Sequence, residues 1–191
     1  MKIMDNIKLI VFDLSGTTVE DDNAVAKCLH QAAVEFGLDA SLEEFQKTIG
    51  TNKIHLYEYM IARSKGQDVK IEDFEKYEFP DIHEEAMKIF ERYSVIMLEY
   101  YRQNVKAMPG AEDTFRWCHE NGIKVATDTG FHRNVKNAII EGLGWLEKGL
   151  LDLSVDVESI GGKGRPAPYM IFYAMQKLNI QSVHEVIKVG D

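Results

Sequence analysis

Four short apolar runs punctuate the chain, at Lys8–Phe12, Ile123–Thr127, Leu151–Val155 and Val186–Val189. Each is only a few residues long and dominated by branched aliphatic residues. This pattern fits strands of a sheet covered on both faces. Helical patterns accompany the last three: one from just after Pro109-Gly110 to Glu120, one from Arg133 to Gly142, and one from Pro166 to Leu178. Alternation of this kind predicts an α/β fold with a doubly wound parallel sheet, Rossmann-like in form.

The stretch between the first and second strands has a different texture. Asp22–Phe36, Leu42–Ile49, Thr51–Ser64 and Ile82–Arg102 all carry apolar residues at helical spacing. Asp21, Asp22 or Ser41 can cap the first two. The Tyr and Met stripe of the last helix reads as packing. We therefore expect an all-helical insertion at 19–106, a cap over the carboxyl edge of a sheet built from 1–18 and 107–191, with hinges near Thr18–Asp21 and Asn104–Pro109.

Composition narrows the function. The 191 residues are 45% hydrophobic and 28% charged, as in ordinary globular proteins. A net charge of −9 argues against a nucleic-acid surface but leaves room for a small phosphorylated substrate held by a few local cations. Cys28 and Cys118 form no CxxC pair, so neither a zinc site nor a disulfide framework is indicated, and a cytoplasmic protein is expected. No run of about 18 apolar residues predicts a membrane span. The Gly161-Gly162-Lys163-Gly164 stretch lacks the GxxxxGK[ST] pattern of a phosphate loop, although Lys163 is a candidate second cation. Trp117 and Trp145 read as packing residues. His132 stands close enough to Thr129 to be a candidate substrate contact.

The candidate chemistry lies at the strand ends. Asp13 closes the first strand before the turn Leu14-Ser15-Gly16-Thr17-Thr18, Asp128-Thr129-Gly130 closes the second, and Gly190-Asp191 follows the fourth. Open α/β sheets bind ligands at that edge. With Arg165 from the loop before the last helix, the set has the parts for phosphoryl transfer. Asp13 would attack phosphorus, while Thr129 and backbone N–H groups such as that of Gly130 hold the non-bridging oxygens. Arg165 would balance their charge, and Asp13 and Asp191 would hold a hard divalent cation, Mg²⁺. Asp128 is a candidate to line the pocket but is expected to cap the turn, and Glu20-Asp21-Asp22 reads as a cap for the first inserted helix.

These motifs, Asp13-Leu-Ser-Gly-Thr-Thr-Val, Thr129-Gly-Phe, Gly-Arg165-Pro-Ala-Pro-Tyr and Val-Gly-Asp191, occur in the order of the four motifs of the haloacid dehalogenase (HAD) superfamily, and the chain is similar to its phosphonatase-like group. The resemblance implies an aspartyl-phosphate at Asp13 and a metal-binding carbonyl at Ser15. Most HAD phosphatases carry a general acid at the Ser15 position; phosphonatases carry a small residue there. A hydroxyl is a poor acid near pH 7, so Ser15 favours a carbon leaving group, the alternative being a turn residue with water or another group handling the proton.

The segment Ile49-Gly50-Thr51-Asn52-Lys53 is similar to the phosphonatase Met-Gly-x-x-Lys, with Ile49 in place of Met. It implies that Gly50 lies by the substrate and that Lys53 forms an imine with an aldehyde. A phosphate contact and a surface lysine stay open alternatives. The expected function is Mg²⁺-dependent hydrolysis of a small phosphonate or phosphate, with phosphonoacetaldehyde-type P–C cleavage favoured. A general phosphatase and a non-catalytic phospho-ligand binder are the other readings, and a homodimer through the cap is a further expectation. The family continues past the equivalent of Asp191 with a second supporting acid. A truncated chain is expected, with impaired metal binding and an unpaired sheet edge if nothing follows.

Overall fold

The computed structural model describes residues 6–49, 51–71, 74–162 and 164–190. Gly50, Lys163 and Asp191 therefore lie outside the described residues. The chain divides into two compact units, Met1–Asp21 with Tyr101–Asp191, and Asp22–Tyr100.

The first unit is an α/β sheet domain. Its strands are β1 (Leu9–Asp13), β2 (Lys124–Thr129), β3 (Leu153–Asp156) and β4 (Val186–Val189), all parallel in the order β3-β2-β1-β4. β1 lies between β2 and β4 and is buried along its whole length. That is why its sequence is an unbroken apolar run rather than an alternating one. Leu9 and Val11 join Ala126 and Val155 in a core with Met170, Ala174, Met175 and Ile180. The last four come from α7 (Tyr169–Lys177) and the turn after it. Phe12 meets Phe115 edge-on, ring centroids 5.2 Å apart, and Phe115 meets Trp145 at 5.1 Å. Phe115 lies on α5 (Ala111–Glu120). α6 (Arg133–Leu143) links β2 to β3.

Sheet order reverses at β1. From β1 the chain goes first to β2 and β3 on one side, and only then to β4 on the other. This is the switch point at which open α/β sheets form a crevice beyond the strand ends. Asp13 is the last residue of β1 and faces Asp128 of β2 in register.

The second unit holds α1 (Ala24–Glu35), α2 (Leu42–Lys47), α3 (Lys53–Ser64) and most of α4 (His83–Gln103). The α4 stripe is packing, as its spacing suggested: Ala86, Ile89, Tyr93, Ile96 and Met97 are all buried. Ser41 caps α2 through a full capping box. Its hydroxyl accepts from the Glu44 N–H, and the Glu44 side chain accepts from the Ser41 N–H at 2.8 Å. Ser41→Ala is expected to lower the stability of this unit by about 1 kcal/mol. Urea unfolding followed by far-UV ellipticity reads the change, and an unmoved midpoint contradicts it.

Three local expectations need correction. Neither Asp21 nor Asp22 caps α1. The cap position is Asn23, in the left-handed region at φ 64°, with no side-chain cap bond. Asp21 instead accepts from the Ser15 hydroxyl, and Asp22 pairs with Lys27 and Tyr100. α7 begins three residues later than its pattern suggested, because Pro168 disfavours helical backbone at Ala167, the residue before it. Trp117 is 45% exposed rather than packed, whereas Trp145 is fully buried with its indole N–H on Glu112.

Candidate active site

Asp13 is only 8% exposed. Its own backbone and the following turn fix it. The Leu14 N–H donates to Oδ1 at 2.9 Å, and the Thr18 hydroxyl donates to the Asp13 carbonyl at 2.7 Å. The Leu14 carbonyl accepts from the Thr18 and Val19 N–H groups at 2.9 and 2.8 Å, which folds the chain back tightly. Gly16 supplies the positive φ of 74° that this reversal requires. Among the described residues, no backbone N–H of the turn donates to the Ser15 carbonyl.

Two buried carboxylates stand side by side, Asp13 on β1 and Asp128 on β2. Unit charges about 5 Å apart repel by roughly 3 kcal/mol at an effective dielectric of 20. Arg165 offsets that repulsion. Its Nη2 donates to Asp13 Oδ1 at 2.7 Å and to Asp128 Oδ1 at 2.6 Å, and its Nη1 donates to Asp13 Oδ2 at 3.2 Å. Burial works against the Arg165 charge, but the Asp13 and Asp128 carboxylates outweigh it and raise its pKa above the ordinary arginine range. Lys188 on β4 adds a second cation, its Nζ 2.8 Å from Asp128 Oδ1.

The remaining strand ends carry polar groups too. Thr129 is 3% exposed, and its Oγ1 accepts from the Phe131 N–H at 3.2 Å, leaving the hydroxyl proton to donate elsewhere. Asp156 pairs in register with Thr129 and is fully buried. Burial raises its pKa, but Lys136 at 2.9 Å, Ser159 and Arg133 more than reverse this and hold it down to about 2. His132 is turned to Glu158 at 3.1 Å. The backbone of Gly190 passes close to the site: a Cβ there would lie 3.2 Å from Asp13 Cβ and 3.4 Å from Lys188 Nζ.

Within the helical unit, Lys53 opens α3 and is half-buried. Its Nζ donates to the Thr48 carbonyl at 3.2 Å, an oxygen that also accepts from the Thr51 hydroxyl at 2.7 Å. Burial pushes the Lys53 pKa down from 10.5 to about 8. The positive end of the α3 dipole acts in the same direction.

A family model described as a haloacid dehalogenase-like hydrolase matches residues 7–191. The chain belongs to this family. Among relatives of the HAD hydrolase, a bifunctional phosphonoacetaldehyde hydrolase/aminoethylphosphonate transaminase of Clostridioides difficile is 24% identical, covering 98% of this chain and 29% of that protein. A phosphonoacetaldehyde hydrolase of Bacteroides fragilis is 26% identical over 98% of this chain and 70% of its own length. Among solved structures, a phosphonoacetaldehyde hydrolase-like protein from Oleispira antarctica aligns with TM-score 0.74 at 20% identity, covering 97% of this chain and 66% of that one. A predicted phosphoglycolate phosphatase from Haemophilus somnus aligns with TM-score 0.73 at 18% identity, covering 98% and 78%. At those identities the structures bear on the fold alone.

For this HAD hydrolase, the fold brings the sequence-expected Asp13 and Arg165 into contact and sets Thr129 next to Asp128 at the same sheet edge. Asp128 needs correction: it is an ion-pairing residue at that edge rather than a turn cap. Lys188 was missed altogether. Its only signal was a charged residue inside an apolar strand. The Asp13 carboxylate and the Ser15 carbonyl are oxygen donors of the type that Mg²⁺ takes, but among the described residues no group of three or more His, Cys, Asp or Glu side chains gathers as a metal site. Among the described residues, no helix is long and apolar enough to cross a membrane.

Proposed function

We propose that this HAD hydrolase moves a phosphoryl group from a small phosphonate, of the phosphonoacetaldehyde type, to Asp13 and then to water. The observation that carries the reading is the buried Asp13 carboxylate at the switch point of the sheet, with both its oxygens held by Arg165. That grip orients a nucleophile and sets a cation where phosphoryl charge develops. Thr129 and the Gly130 N–H serve the non-bridging oxygens. Asp13, the Ser15 carbonyl and Asp191 would hold Mg²⁺, which would supply Lewis-acid charge to the phosphoryl oxygens.

Lys53 makes carbon a tolerable leaving group. Its neutral amine adds to the substrate aldehyde and expels water as a protonated imine. Asp13 then attacks phosphorus and the P–C bond breaks. The released pair moves into the imine and leaves an enamine, which takes a proton and is hydrolysed to the free aldehyde and Lys53. A pKa near 8 suits this role, because only the unprotonated amine attacks. The names of the relatives support the same substrate class, and Lys53 lies in the helical unit.

A second reading is an ester phosphatase. It is favoured by the Ser15 hydroxyl donating to Asp21 Oδ2 at 2.7 Å, which sets an acid beside the position where such enzymes need one. Phosphate release from phosphonoacetaldehyde against a panel of sugar and nucleotide monophosphates separates the two. Faster release from the phosphonate is expected; activity on esters alone assigns the protein to the second reading.

A further inference from the structure

Asp128 has no part in the reaction as drawn, yet it is 2% exposed and meets two cations. Burying a carboxylate that deeply is costly unless it is paired, and this one is paired twice. Arg165 Nη2 donates to Asp128 Oδ1 at 2.6 Å and to the Asp128 carbonyl at 3.2 Å. The same guanidinium also grips Asp13. Arg165 is therefore strung between two carboxylates, only one of which reacts.

The consequence appears once phosphorus is transferred. When an Asp13 oxygen bonds to phosphorus, the carboxylate becomes an acyl phosphate and its charge passes to the phosphoryl oxygens. Its hold on Arg165 then weakens, because a neutral ester oxygen is a poorer acceptor than an ionised one. Asp128 keeps its charge throughout. We propose that Asp128 is the positioning residue that keeps Arg165 at the reacting centre while Asp13 is phosphorylated, with Lys188 steadying Asp128 from β4. In the second half of the cycle, water bonds to phosphorus and the P–Oδ bond breaks. The electron pair returns to Asp13 and one proton leaves to solvent. That half depends on Asp128 more than the first. The inference rests on Asp13 being the phosphoryl acceptor.

Rapid-quench measurement with radiolabelled acetyl phosphate and Mg²⁺ reads both halves, as labelled protein and as released phosphate. For Asp128→Asn, breakdown is expected to slow about 30-fold, the order expected for one lost charge-assisted hydrogen bond, while formation changes less than about 3-fold. Labelled protein then accumulates. Equal slowing of both halves, or no change in either, overturns the assignment. If Asp128→Asn does not fold, Lys188→Gln answers the same question, because it removes the cation that steadies Asp128 from β4 and leaves Asp13 and Arg165 intact. Accumulation supports the inference and equal slowing ends it. A wild-type enzyme that releases phosphate without ever becoming labelled removes the Asp13 reading itself, and this inference with it. Labelled wild type with unchanged variants removes the Asp128 assignment alone.

Discussion

Replacing Asp13 by asparagine is expected to lower phosphate release by at least about 10⁴-fold, with the protein still folded. The amide has the shape of the carboxylate but neither its charge nor its nucleophilicity, so the covalent step has no acceptor. The fold has little reason to fail. β1 owes its place to Leu9, Ile10, Val11 and Phe12, each worth about 1.5–3 kcal/mol of burial. Asp13 adds only the last residue of the strand. Removing its charge leaves Arg165 and Lys188 facing Asp128, so one cation is uncompensated at a partly hydrated edge. A thermal midpoint within a few degrees of wild type, measured by circular dichroism beside the phosphate assay, completes the test. A folded variant retaining more than a tenth of the activity would rule Asp13 out as the phosphoryl acceptor.

The second large effect concerns Lys53. Lys53→Ala is expected to lower phosphonoacetaldehyde cleavage by about 10³-fold or more, because a P–C bond without an imine must release a carbanion. Hydrolysis of simple esters should change less than about 10-fold, since the chemistry at Asp13 is untouched. Borohydride with the aldehyde should inactivate the wild type and spare the variant. The pH profile gives a further check. With the pKa near 8, about a tenth of the lysine is neutral at pH 7, against roughly one part in three thousand at its ordinary value. Cleavage should therefore climb as pH rises through about 8. Stability follows the same group: between about 8 and 10.5 the unfolded chain holds a proton that the folded one has lost, so stability rises with pH across that window. Unchanged cleavage in Lys53→Ala, or no inactivation by borohydride in the wild type, sinks the imine.

The sheet was legible because β1 and all of β2 but its first residue are buried, and because β3 and β4, though less buried, still carry short aliphatic runs. β4 falls where its apolar run lies, and the other strands within two residues of theirs. The long amphipathic α4 was legible for a different reason, because its buried apolar residues recur at helical spacing. Local ends were harder. Asp21 and Asp22 look like helix caps by composition, but each had a stronger partner available: Ser15 for one, Lys27 and Tyr100 for the other. Asp13, Thr129 and Arg165 could be found from strand ends and motif order. Asp128 had two readings, a pocket-lining acid and a turn cap, and the wrong one was favoured. What it does depends on Arg165 and Lys188, each far along the chain, and nothing local announces a partner that only the strand order brings near. Lys188 was obscured in the same way, as a charge within an apolar run.

The chain's route through the helical unit bears on how the sheet can form at all. β1 and β2 are neighbours in space but far apart in sequence, and closing a flexible loop over 21–105 would cost roughly 4 kcal/mol of chain entropy. Two features lower that cost. The outgoing and returning segments pair directly, with the Met108 N–H on the Thr18 carbonyl at 2.8 Å and the Glu20 N–H on the Lys106 carbonyl at 3.0 Å. The helical unit also joins its own ends, with the Tyr100 hydroxyl donating to Asp22 Oδ1 at 2.7 Å. Once that unit has folded, its ends are already held together, and β1 and its parallel neighbour β2 meet without a long flexible loop left to close. In kinetic terms, a contact of high order on paper becomes one of low order in practice.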